Sequence, residues 1–158
     1  MVSLSWCYKQ KQGIKLIEPN ENLARAYSEM ADDSFRVMNN EKDKSIRWAV
    51  SSCYYSMYHS LYSFLMKLGI KSEMHSCTLK FMELELSKFY SKQDAELIKK
   101  AFNLRISAQY YVNKLINKRE FEFIFSNALS FIEKTKEILT KLNEDDINTI
   151  RNKVSKAI

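Results

Sequence analysis

The sequence predicts an all-α protein, an antiparallel up-and-down helical bundle of about five main helices plus a short C-terminal helix. Three observations predict it. Only two glycines (Gly13, Gly69) and one proline (Pro19) occur in 158 residues, which leaves few sites for the tight turns of a protein built from hairpins. Apolar residues recur at three- and four-residue spacing along most of the chain, the period of a helix with one buried stripe. The stretches between these segments are a few residues long, which favours antiparallel neighbours. A chain of this length needs only one domain and one core.

Residues 1–19 mix apolar and basic side chains without clear period and are read as an N-terminal arm. A helical bundle is expected over residues 20–142. Its first helix starts after a cap at Asn20 or Asn22, whose side chain can accept from an orphan N–H, and runs through Leu23, Ala26, Tyr27, Met30, Ala31, Phe35 and Met38 toward Asn39. The second runs from about Lys42 to Leu68 and stops at Gly69. It is apolar or aromatic on nearly every side, as a central helix should be. Ser72 can cap a third, with His75 in its first turn, and Ser91 a fourth from about Lys92 to Asn117. The fifth spans about Glu120 to Leu142. Residues 143–158 form a C-terminal helical tail, mostly exposed, with early acids and late lysines that suit the helix dipole.

The formal charge is +6. No acidic residue lies between Glu96 and Glu120, whereas Lys99, Lys100, Arg105, Lys114, Lys118 and Arg119 all do. On a helical projection Arg105 falls inside the apolar arc of the fourth helix, which includes Ala101, Leu104, Ala108, Val112 and Leu115. Lys99, Lys100, Lys114 and Lys118 gather with Tyr110 on another side. The lysines read either as a solvated face or as a phosphate-attracting surface. Arg105 reads either as a buried cation paired with Glu29, Asp32 or Asp33, or as a fork for a phosphate or nucleotide. His59 fits a hydrogen-bonded place in an aromatic layer, and His75 a capping or surface position. Either could instead approach Arg105. The three cysteines, at 7, 53 and 77, are too scattered for a metal motif and are expected as reduced thiols. No metal and no cofactor is expected. No segment approaches the roughly 20 apolar residues of a membrane span, so a cytoplasmic, membrane-free protein is expected.

The order of these features resembles the HEPN family of small helical bundles over roughly residues 20–142. One branch of that family carries a stretch matched here by Tyr54, Tyr55, Met57, Tyr58 and His59, then a histidine opening the next helix, matched by His75. An arginine followed by a small residue, an acid and a tyrosine is matched by Arg105, Ala108, Gln109 and Tyr110, with Gln109 in place of the acid. The resemblance implies a homodimer and a cytoplasmic protein that binds nucleotide or RNA, working with a nucleotidyltransferase partner as in toxin–antitoxin pairs. Many members are metal-independent ribonucleases with a histidine four to six residues after the arginine. Tyr110, Tyr111 and Val112 stand there instead, so a binding module is expected. A ribonuclease rebuilt from Arg105 with His59 or His75, or a purely structural interaction bundle, is the alternative.

Overall fold

The computed structural model describes residues 2–158 and is a helical bundle. Its elements in order are α1 (Leu4–Lys9), β1 (Lys15–Leu16), α2 (Glu21–Glu41), α3 (Ile46–Leu68), β2 (Ile70–Lys71), α4 (His75–Glu85), α5 (Lys92–Tyr110), α6 (Lys118–Lys141) and α7 (Glu144–Ala157). As expected from its apolar faces, α3 is the central helix, with residues such as Tyr54, Met57, Leu61, Phe64 and Leu65 fully buried. It packs against α2, α5 and α6. Local caps fix the ends. Asn20 accepts from the Leu23 N–H, Ser91 and Asp94 form a reciprocal capping box, and Asn143 accepts from the Asp146 N–H. Gly69 closes α3 in the left-handed region at φ +69°, and a Cβ there would lie 2.2 Å from Arg151 Nη1 and 2.6 Å from the Ile17 carbonyl.

Several expectations need correction. The N-terminal arm, to which the sequence assigned no elements, carries α1 and β1, buries Cys7 and Ile14, and pairs Lys15 with Lys71 and Leu16 with Ile70. Cys7 and Cys77 are joined by a disulfide rather than reduced. The fold brings α1 against the first turn of α4, and a separation of 70 residues hides that contact in the sequence. Cys53 is free and buried. The helix that holds Arg105 ends at Tyr110 instead of Asn117, so Val112 and Leu115, placed on the buried arc, are 85% and 93% exposed. Ser72 is not a cap. It lies buried before α4, where its N–H donates to Tyr62 Oη, whose own hydrogen bonds the Ser72 carbonyl. The tail α7 is mostly exposed, as expected, but it is anchored: Ile150 and Val154 are buried, and Arg151 Nη1 donates to the carbonyls of Ile17, Leu68 and Gly69. The bond to Leu68 satisfies a carbonyl that the end of α3 leaves open.

Candidate functional site

On α3, Tyr54, Tyr55, Tyr58, His59 and Tyr62 share one side because three- and four-residue steps return to the same helical face. The first turn of α4 brings His75 over this row, and α5 adds Phe102, Arg105 and Tyr110. His75 stacks on Tyr58 with centroids 4.2 Å apart and planes 11° apart, and Phe102 lies nearly parallel at 6.0 Å. A 2.5 Å hydrogen bond joins Tyr54 Oη to His75 Nδ1. His59 stacks on Tyr55 at 5.4 Å, and its Nδ1 meets Ser34 Oγ at 3.4 Å. His75 therefore belongs to the aromatic layer, not to a simple cap.

Arg105 sits against this layer. Its Nη2 donates to Tyr55 Oη at 2.7 Å. Its guanidinium carbon is 5.9, 5.3 and 5.6 Å from the ring centroids of Tyr54, Tyr55 and Tyr110. None of the carboxylates weighed as its partner takes that role. Asp32 pairs with Lys136 at 2.6 Å and Asp33 with Arg36 at 2.7 Å, and among the described residues no carboxylate forms an ion pair with Arg105. Its Nε is buried without a hydrogen-bond partner. Each ring face is worth about 0.5–1 kcal/mol to a cation. Such faces soften the loss of water but leave the charge uncancelled.

The same cation acts on the His75 imidazole. Burial first, then the Arg105 charge, then His59, lower the His75 pKa from 6.5 to about 4. Burial also lowers that of His59. Both rings are therefore neutral near pH 7. For a group lowered on folding, protonation favours the unfolded chain, so the protein should lose stability as pH falls from about 6.5 toward about 4. Melting temperature against pH measures this, and His75→Gln should flatten the slope in that window; an unchanged slope would show that His75 does not carry it.

The lysine cluster divides. Lys99, Lys100 and Lys114 line a cavity of about 670 Å³ with Asn103, Glu96 and Glu120. Lys118 lines a different hollow beside Phe121 and Phe125. Sequence reasoning missed two contributors. Tyr55 enters the sequence reading only as part of the tyrosine-rich stretch that matches the resembled family, with no role of its own, yet it is the hydrogen-bond partner of Arg105. Arg47, in the first turn of α3, donates to the carbonyls of Ser107, Ala108, Tyr111, Val112 and Lys114, and nothing in the chain marks it. Among the described residues no three His, Cys, Asp or Glu side chains are grouped to hold a metal, and no helix is long and apolar enough to cross a membrane.

The family model described as HEPN domain matches residues 24–139. A protein of Methanocaldococcus jannaschii named "Putative toxin MJ0142" is 31% identical over 132 residues, covering 82% of each chain. The matched region holds α3 to α5 and all of the Arg105 contacts just described.

Proposed function

Since the chain belongs to the HEPN domain family, we propose that it is an RNA-directed, toxin-related member that binds a phosphate of RNA or of a nucleotide at Arg105. The observation that carries this reading is a guanidinium that lies among Tyr54, Tyr55 and Tyr110 and forms no ion pair among the described residues. A planar cation with donors to spare and no internal carboxylate is matched by a phosphate oxygen pair. Lys99, Lys100 and Lys114 add a salt-sensitive attraction for the rest of a nucleic-acid strand. Binding of labelled RNA to the purified chain, followed across a salt series, tests this. Arg105→Ala should weaken binding and make the salt slope shallower; undiminished binding by that variant would overturn the assignment.

The same reading includes a homodimer and a nucleotidyltransferase partner, as the resemblance implied. Analytical ultracentrifugation tests the first, and co-purification with a candidate partner the second.

A second reading, metal-independent RNA cleavage, is favoured by one observation. The motif histidine is missing after Arg105, but a neutral His75 stands within the electrostatic reach of Arg105 and is held at Nδ1 by Tyr54. A neutral ring near pH 7 can accept a proton from a ribose hydroxyl, although a pKa of about 4 makes it a weak base. This reading predicts RNA cleavage in the presence of a chelator that both Arg105→Ala and His75→Gln abolish. RNA left intact by the parent chain returns the protein to the binding reading alone.

A further inference from the structure

The segment that follows Arg105 has a combination of properties that the phosphate site does not use. Tyr110, Tyr111, Val112 and Leu115 are 67%, 54%, 85% and 93% exposed, large apolar side chains crowded into six residues. Exposed apolar segments of this kind are usually binding surfaces. Their backbone is nevertheless held in place. Arg47 Nη1 donates to the Ala108 carbonyl at 2.8 Å, and Nη2 donates to those of Val112 and Lys114 at 2.9 and 2.8 Å. One guanidinium thus gathers the end of α5 and the turn beyond it, so the backbone that carries the rings has little conformational entropy left to lose on binding.

Charge selects the occupant. Lys99, Lys100 and Lys114 line the hollow that Leu115 also lines, together with Glu96 and Glu120, and the Tyr110 ring lies 5.6 Å from the Arg105 guanidinium. Aromatic rings beside fixed cations suit unstacked bases on a phosphate backbone, whereas a duplex hides its base faces. We infer that Tyr110 to Leu115 form a base-stacking ledge for single-stranded RNA, with the Tyr110 ring taking the base next to the phosphate at Arg105 and Arg47 acting as the positioning residue of the ledge. This rests on the reading of Arg105 as a phosphate site.

The test compares the full chain with its Tyr110→Ala, Tyr110→Phe, Arg47→Gln and Arg105→Ala variants. Binding is measured to a short single-stranded oligoribonucleotide, to the same sequence as a duplex, and to inorganic phosphate, with circular dichroism confirming the fold of each variant. Tyr110→Ala should weaken single-strand binding by about tenfold or more, and Tyr110→Phe should restore it. Arg47→Gln should reproduce the loss with phosphate affinity intact. Equal affinity for duplex and single strand, or full single-strand affinity in Tyr110→Ala, would overturn the ledge. If Tyr110→Ala loses affinity and Arg105→Ala does not, the ledge stands and the phosphate assignment at Arg105 fails.

Discussion

Arg105→Met is expected to melt higher than the parent chain and to bind RNA about a hundredfold more weakly. The two effects share a cause. A half-buried guanidinium whose Nε has no partner and whose charge meets no carboxylate among the described residues loses more hydration than its neighbours return. An unsatisfied buried polar group costs about 1–3 kcal/mol, and exchanging buried charge for an apolar side chain of similar volume is often neutral or stabilising. Against this stand the bond to Tyr55 and the three ring faces, so the net gain should be small, about 1 kcal/mol. For a chain of this size that corresponds to roughly 2–4 °C in Tm. Loss of a charge-assisted contact to phosphate costs about 2–5 kcal/mol, which outweighs the gain in stability and sets the loss of affinity. Thermal melts and RNA titrations of the same variant separate the readings. A variant less stable than the parent that still binds RNA would mean that Arg105 serves the fold.

The sequence made the helices legible and their ends less so. Helical periodicity identifies α2, α3 and α6 because each buries one broad face, or in α3 nearly all faces, and burial writes itself into residue type. The end of α5 left no such trace. Tyr111, Val112, Leu115 and Ile116 continue the apolar period beyond Tyr110, but Arg47 draws off the last carbonyls and the chain turns toward α6. A guanidinium from about 60 residues away ends that helix, where a glycine or proline would have announced it. The candidate site was legible in the same uneven way. Arg105, His59 and His75 do converge on one aromatic layer, whereas Tyr110, placed with the lysines on another side, lies against Arg105 instead. The grouping of Lys118 with Lys99, Lys100 and Lys114 assumed a helix through Asn117, and it dissolves once the helix stops at Tyr110. Long-range pairings were the least visible: neither Arg105 with Tyr55 nor Cys7 with Cys77 follows from any local pattern.

Breaking the Cys7–Cys77 disulfide, as Cys77→Ser or with reductant, should lower stability by about 4 kcal/mol, the chain-entropy value for a loop of this length. The loss should be uneven. Residues 4–16 are fastened to the segment before α4 by only a few other links, among them the β1–β2 pairs and the bond from the Glu73 N–H to the Gln12 carbonyl. A six-residue α1 cannot hold itself together without packing. Reduction should therefore expose the amides of the arm and of residues 70–77 to hydrogen exchange before those of α3 or α6. His75 lies in that segment, two residues before Cys77, and its stacking on Tyr58 and bond to Tyr54 depend on where the first turn of α4 sits. Arg105 is carried by α5, outside the loosened region. If RNA is only bound, reduction should leave affinity close to that of the oxidised chain; if His75 takes part in cleavage, reduction should slow cleavage while binding persists. Hydrogen exchange by mass spectrometry with RNA assays on oxidised and reduced protein reads both. Uniform loss of protection across α3 and α6 would show that the arm and the bundle unfold as one unit and that the disulfide does not act locally on His75.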